Sequence, residues 1–96
     1  MGNIEFAWDR RKARFNLAKH GVSFEEAQTV FLDENARLID DPDHSEDEER
    51  FVLLGYSFAA RRLVVSHCYR EHDSAIRPIS ARRATGREEE VYWRLR

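Results

Sequence analysis

The chain has 96 residues, of which 42% are hydrophobic and 35% are charged, and its formal net charge is −2. A chain of this length encloses one modest hydrophobic core, so we expect a single domain over residues 1–96. The only cysteine, Cys68, excludes an internal disulfide, and no apolar run or signal-peptide pattern predicts membrane insertion. These features favour a cytoplasmic protein.

The charge is distributed unevenly along the chain. Residues 1–20 carry a net charge of +3, residues 21–60 carry −9, and residues 61–96 carry +4. Seven carboxylates lie in the segment DDPDHSEDEE at residues 40–49. Because like charges repel, this segment is expected to be a solvated loop. It lacks the central Gly and the Asp/Asn alternation of a calcium-binding EF-hand loop.

The N-terminal third predicts one strand and two helices. IEFAWD alternates like a short strand and ends at Asp9, a good helix N-cap. Strong helix formers follow over residues 10–20, and Gly21 stands where a helix ends. The motif SFEE then predicts a capping box between Ser23 and Glu26, opening a second helix that reaches about residue 32.

The rest of the chain is dominated by strand patterns. ARLID, RFVLLGYS, RRLVVSHCYR and AIRPIS read as four strands, of which the last three predict an antiparallel meander. Thr85 and Glu88 predict a capping box that opens a C-terminal helix. The element order is therefore β-α-α-β-β-β-β-α, which predicts an α+β fold with helices packed on a mainly antiparallel sheet.

Alternation in the third strand pattern divides its side chains between two faces. Pro78, in the last strand pattern, donates no backbone hydrogen bond, so it is expected at a sheet edge or an irregularity. The first face of the third strand holds Leu63, Val65, His67 and Tyr69, and the second holds Arg62, Val64, Ser66, Cys68 and Arg70.

The residue types exclude several kinds of site. The four histidines and Cys68 show no spacing typical of a zinc site, and the scattered glycines form no phosphate-binding loop. We therefore expect neither a metal nor a cofactor. Cys68 and His67 are neighbours on a strand and face opposite ways, so they do not form a nucleophile–base pair. Arginine, histidine and tyrosine along the last strands are instead suited to single-stranded RNA, although exposed arginines are also common on ordinary surfaces.

Several motifs, in order, resemble one family across nearly the whole chain. FAWD, KARFNLAKHGVSFEEA, the acidic DHS loop, RLVVSHCYRE and IRPISARRAT are similar to the BrnT family, the toxin half of a bacterial type II toxin–antitoxin pair. The resemblance implies a fold like that of RelE-type ribonucleases and a metal-independent RNA endonuclease that arrests translation. It also implies a BrnA-like ribbon-helix-helix antitoxin as partner and a joint complex that represses its own operon, with operator DNA bound only through the antitoxin. The expected assembly is either a heterotetramer with the antitoxin or a homodimer.

Metal-independent RNA cleavage needs a cation for the phosphorane and groups that move protons. Arginine suits the first task. Strand parity places Arg82 with Pro78 and Ser80 on one face and Arg83 with Ile79 and Ala81 on the other, which is expected to be the packed face unless the strand ends before Arg83. Arg82 is therefore the favoured catalytic arginine. His67 is the first proton-transfer candidate and Glu71 the second, with Arg83 and Arg70 as further catalytic candidates. The predicted RNA-binding residues are Lys19, His20, Arg62, Tyr69, Arg77 and Trp8.

Some of these assignments have structural alternatives. Lys19 and His20 also suit the C-terminal dipole of the first helix, and Trp8 also suits the core. Two other functions remain open for the whole chain. One is a binding module that holds an antitoxin without cleaving RNA, and the other is a DNA-binding co-repressor that acts through a partner.

Overall fold

The computed structural model describes residues 4–39, 50–70 and 72–94, so the acidic segment at residues 40–49 and the candidate Glu71 lie outside the described residues. Within them, three α-helices and a 3-10 turn surround one sheet whose strands are antiparallel in the order β1-β2-β3-β4. This arrangement confirms the predicted α+β class. The elements are α1 (Arg10–His20), α2 (Phe24–Thr29), the 3-10 turn Val30–Leu32, β1 (Arg37–Ile39), β2 (Phe51–Tyr56), β3 (Arg62–Tyr69), β4 (Ile76–Arg83) and α3 (Gly86–Arg94).

The ends of α1 and the start of α3 follow from local sequence. The Asp9 carboxylate accepts a hydrogen bond of 2.8 Å from the backbone N–H of Arg11 and so caps α1. Gly21 ends the helix with φ at 70°, a conformation that costs glycine little. At α3, Thr85 and Glu88 form the full capping box, since each side chain accepts the other residue's backbone N–H at 2.8 and 3.2 Å.

The capping box predicted at α2 is only half present. The Ser23 hydroxyl accepts a hydrogen bond of 2.9 Å from the Glu26 backbone N–H, as expected. The Glu26 carboxylate does not return to Ser23 and instead bonds to Arg61 and Ser57, which lie at the β2–β3 connection. The stronger charged partner takes this carboxylate because an arginine offers two aligned N–H donors.

The strand predicted at IEFAWD is wrong. Phe6 forms a single parallel bridge with Ile76, where Ala7 N–H donates to the Ile76 carbonyl and Ile76 N–H donates to the Glu5 carbonyl. To extend this pairing along β4, the next hydrogen bond would have to come from the backbone of Pro78, which has no N–H to donate. The segment therefore covers one end of the β4 edge without becoming a strand.

A bulge in β4 changes the predicted parity. Ser66 pairs with Ser80 but His67 pairs with Pro78, so Ile79 is the extra residue between them. Pro78 therefore shares a face with His67, and the expectation that it lies on the face of Ser80 and Arg82 is wrong. The expectation that Pro78 belongs to an edge or an irregularity is confirmed on both counts.

The two faces of the sheet pack against different helices. On the α2 face, strand residues form a cluster with Val22, Ala27 and Val30, which lie in α2 or beside it. On the α3 face, strand residues pack against Tyr92 of α3. No helix in the described ranges is long and apolar enough to cross a membrane. The α2-face cluster is Val22, Ala27, Val30, Leu53, Leu63, Val65 and Ala81, and the α3-face cluster is Val52, Leu54, Val64 and Tyr92.

Helix α1 covers the outer edge of β4 through Asn16. The Asn16 side-chain amide donates to the carbonyls of Ala81 and Val22 at 2.8 and 2.9 Å, and its oxygen accepts the Ala81 N–H at 3.0 Å. The amide thus makes the pair of backbone hydrogen bonds that a residue of a neighbouring strand would make. Since Asn16 is the buried residue of α1, this contact positions the helix beside β4.

Candidate functional site

Arginines from three strands lie on the α3 face of the sheet. Antiparallel partners share a face, so the pairs Arg37–Leu54, Leu54–Val64 and Val64–Arg82 form one row across all four strands. Arg37 and Arg82 stand at the ends of this row, about 14 Å apart at the usual strand spacing. We call the set Arg37, Arg62, Arg77 and Arg82 the arginine face.

Arg82, the favoured catalytic residue, is held by the first turn of α3. Its Nη1 and Nη2 donate to the two oxygens of Glu88 at 2.8 and 2.9 Å, a bidentate contact that fixes the guanidinium plane. The Arg82 bond, aided by the Thr85 contacts, lowers the pKa of Glu88 to about 2. Glu88 is therefore ionised near neutral pH. About a third of the Arg82 side chain is exposed, so a phosphate can reach it from solvent.

Arg62 is the diagonal neighbour of Arg82 on the same face. Its Nε donates to Glu89 at 2.7 Å, and its guanidinium also contacts the Tyr56 hydroxyl. The same group stacks 4.8 Å from the Tyr56 ring centroid and 5.5 Å from that of Trp93. Consecutive glutamates of α3 thus hold both arginines.

His67 is enclosed in an aromatic part of the core. It is 1% exposed, with the rings of Phe31, Phe51 and Tyr69 at centroid distances between 4.8 and 5.9 Å. Burial lowers its pKa, which favours the neutral ring. A proton-transfer group must come within hydrogen-bond reach of its substrate, and this enclosure withholds the ring from RNA. The structure therefore supports a packing role for His67.

The other predicted catalytic residues are dispersed. Arg83 is exposed and pairs with Leu63, so it lies on the face opposite to Arg82, as strand parity predicted. Arg70 binds Asp73 at the β3–β4 connection, and this partner lowers the pKa of Asp73 to about 2. Neither of them joins the arginine face.

The predicted RNA-binding residues divide into three groups. Arg62 and Arg77 belong to the arginine face. Tyr69 lies half-exposed with its ring 5.4 Å from Phe51, and Trp8 packs edge-on against the buried Phe24, with 5.8 Å between centroids. Lys19 and His20 line a separate groove.

That groove runs between α1 and the outer edge of β4 and encloses about 480 Å³. On α1 it includes two cations that sequence reasoning missed, Arg11 and Lys12, and the exposed ring of Phe15. The spacing of basic residues along α1 was visible in the sequence, but the position of β4 beside this helix was not. We define the α1 groove by its lining residues Arg11, Lys12, Phe15, Asn16, Lys19, His20, Ile79 and Ser80.

A further charged cluster joins α1 and α2 to the β2–β3 connection. Arg61 donates to Glu26 through Nε at 3.0 Å and to the Gly21 carbonyl at 3.1 Å, while the Ser57 hydroxyl donates to Glu26 at 2.5 Å. The Arg61 bond lowers the pKa of Glu26 and outweighs the opposing effect of burial. Through Arg61, the cluster ties the C-cap of α1 and the first turn of α2 to the β2–β3 connection.

Replacing Glu26 with Gln is expected to reduce the free energy of unfolding by about 2 kcal/mol at pH 7, because Arg61 loses a largely buried anionic partner. A lowered folded-state pKa means that the carboxylate stabilises the fold above its ordinary pKa of 4.5 and loses that effect as pH falls through the folded value. Urea unfolding of both proteins from pH 7 to pH 3 should therefore show the difference narrowing. A difference that stays constant with pH would contradict this assignment.

Among the described residues, no group of three or more His, Cys, Asp or Glu side chains is placed to bind a metal ion. What the described part of the chain offers instead is one sheet face with several arginines and one basic groove. The described residues therefore form an antiparallel α+β domain that carries its arginines on one sheet face and further cations in the α1 groove.

Comparison with known proteins gives the family. A family model described as the ribonuclease toxin BrnT of type II toxin–antitoxin systems matches residues 8–88, and the chain belongs to this family. The crystal structure of the Brucella abortus ribonuclease toxin BrnT is similar in fold, with a TM-score of 0.64 and 21% sequence identity, covering 86% of this chain and 99% of that one. A search of curated proteins finds no significant match.

Proposed function

We propose that this protein is an endoribonuclease that cleaves RNA without a metal ion and thereby inhibits translation in the cytoplasm. Membership of a ribonuclease toxin family supports the reaction class. The observation that carries the proposal is the placement of Arg82, whose guanidinium is oriented by Glu88 on a sheet face with other arginines. The resemblance to RelE-type ribonucleases stays a prediction.

In the proposed reaction the ribose 2′-oxygen forms a bond to the adjacent phosphorus as its proton leaves, and the bond from phosphorus to the 5′-oxygen breaks. The departing 5′-oxygen takes a proton, so the products are a 2′,3′-cyclic phosphate and a 5′-hydroxyl. Negative charge on the phosphoryl oxygens rises along the way. Arg82 would stabilise this charge, since its guanidinium remains cationic at any working pH while Glu88 holds it in place.

Glu88 would position Arg82. A general base works best with a pKa near the working pH, and a carboxylate with a pKa of about 2 binds protons too weakly for that task. By fixing the guanidinium before substrate arrives, Glu88 reduces the entropy lost on binding a phosphate. Arg62, oriented by Glu89, would add a second cation to the same face.

Incubating the purified protein with single-stranded RNA in excess EDTA is expected to give cleavage with cyclic-phosphate ends, because the proposed chemistry uses only protein cations. End-group analysis of the fragments measures this. The Arg10→Ala variant, altered on α1 away from the arginine face, should cleave like the wild type. Complete dependence on added divalent metal would refute the mechanism.

One observation favours a non-catalytic alternative. Arg61, Arg62, Arg70 and Arg82 all bind carboxylates of the same chain, as expected for a module that only holds an antitoxin. Under either reading we propose a BrnA-like ribbon-helix-helix antitoxin as partner and operator DNA bound only by the pair. A gel shift with this protein alone and then with the product of the adjacent reading frame tests that, and tight DNA binding by the lone chain would refute it.

A further inference from the structure

Helix α1 commits few side chains to the core. Asn16 is its buried residue, whereas Phe15 is 67% exposed and Leu17 is 50% exposed. An amphipathic helix ordinarily turns such apolar residues inward. Instead, α1 presents an exposed aromatic ring among cations, which are Arg10, Arg11, Lys12, Arg14 and Lys19.

The cations on one side of α1 form the wall of the α1 groove. Arg11, Phe15 and Lys19 follow one another at intervals of four residues, so they lie along a single stripe of the helix. The Lys19 ammonium lies 5.8 Å from the centroid of the Phe15 ring. Lys12 and Lys19 are separated by about 10 Å along the helix axis, enough to contact more than one phosphate. None of the described residues that line the groove is acidic.

The groove is continuous with the arginine face through Ser80. This residue lines the groove, and it also shares the α3 face with Arg82, about 7 Å away along β4. The bulge at Ile79 bends the strand at this point. Asn16 holds α1 against Ala81, so the groove and Arg82 keep a fixed relation.

We propose that the α1 groove binds the backbone of single-stranded RNA and leads it past Ser80 to Arg82, with Phe15 stacking on one base. This inference rests on the proposed function for its substrate class. Cations that follow a backbone, interleaved with an exposed aromatic ring, are what sequence-tolerant binding of a single strand requires. A duplex would not offer an unstacked base to Phe15.

The test compares two double neutralisations on the same helix. Lys12→Gln with Lys19→Gln alters the α1 groove, whereas Arg10→Gln with Arg14→Gln removes the same charge from side chains that line a different depression. The probe is a fluorescein-labelled oligouridylate with a methyl group on every 2′-oxygen, which prevents 2′-hydroxyl-assisted cleavage. Fluorescence anisotropy at several salt concentrations gives the affinity, and thermal unfolding checks that both variants fold.

We expect the groove variant to bind the probe about tenfold more weakly than the wild type, and the control variant to bind it less than about threefold more weakly. Both variants lose long-range attraction to the RNA, but only the groove variant also loses direct phosphate contacts. The slope of log K against log salt concentration should become shallower by about 1.4 in the groove variant, because each phosphate contact on a single strand contributes about 0.7 to that slope and two contacts are lost. Phe15→Leu should weaken binding severalfold without changing that slope, since stacking releases no counterions.

Equal weakening by the two double variants would overturn the proposal, because it would show only a long-range charge effect. A competition experiment with a polyglutamate peptide could also overturn the proposal. If the peptide displaces RNA from the wild type and no longer binds the groove variant, the groove belongs to an acidic protein segment. The methylated probe separates this test from the nuclease proposal. Binding at the groove by a protein that fails to cleave ordinary RNA would refute the enzyme and leave the groove assignment standing.

Discussion

Replacing Arg82 with Ala is expected to slow RNA cleavage by about 10²- to 10³-fold under single-turnover conditions. The plane of the Arg82 guanidinium is fixed by a bidentate contact with the Glu88 carboxylate, at 2.8 and 2.9 Å. A donor aimed before the reaction stabilises the charged phosphorane without reorganisation, so its loss appears mainly in the rate constant. Arg82→Lys keeps the charge but loses the fork, and it should recover only part of the rate.

The matched control is Glu88→Gln, which disturbs the same contact from the other side. If Arg82 acts on the phosphate, Glu88→Gln should reduce the rate by less than about tenfold, because the cation stays on the sheet face with a looser orientation. If Arg82 only anchors α3, the two variants should lose activity in parallel with their thermal stability. Equal rate losses at equal losses of stability would therefore contradict a catalytic role.

Replacing Asn16 with Ala is expected to lower the free energy of unfolding by about 3 to 5 kcal/mol. The substitution removes three buried hydrogen bonds, to the carbonyls of Val22 and Ala81 and to the Ala81 N–H. Buried backbone groups left without partners cost about 1 to 3 kcal/mol each, more than the bonds themselves contribute on average. Urea unfolding monitored by tryptophan fluorescence measures the change.

Leu17→Ala is the control for Asn16→Ala, since Leu17 is the next residue of α1 and is half exposed. It should cost less than about 1 kcal/mol. A loss below about 1 kcal/mol for Asn16→Ala would show that α1 is held on β4 by other contacts. The arrangement of the α1 groove beside Arg82 would then need another explanation.

Much of the local structure was predictable because its causes lie within a few residues. Asp9 and Gly21 define the two ends of α1 through hydrogen bonds to residues no more than four positions away. Thr85 and Glu88 define the start of α3 in the same way. Strand alternation separated Arg82 from Arg83, a result that depends only on the period of an extended chain.

The candidate site was less predictable because its geometry depends on distant partners. His67 suited proton transfer by residue type, yet its surroundings come from Phe31 and Phe51 on other elements. Glu88 was expected to cap a helix, and its second role on Arg82 follows from where β4 ends. The α1 groove was missed because it requires α1 beside the edge of β4.

The sequence by itself therefore determined the α+β class, both ends of α1, the start of α3 and the opposite orientations of Arg82 and Arg83, since propensity, capping and alternation act over a few residues. Tertiary structure alone decided that the extra residue of the bulge is Ile79, that Asn16 bonds to Ala81 across 65 positions and that Glu26 pairs with Arg61 across 35. Those contacts form because buried polar groups must find partners wherever the fold places them, and that location depends on the packing of the whole chain.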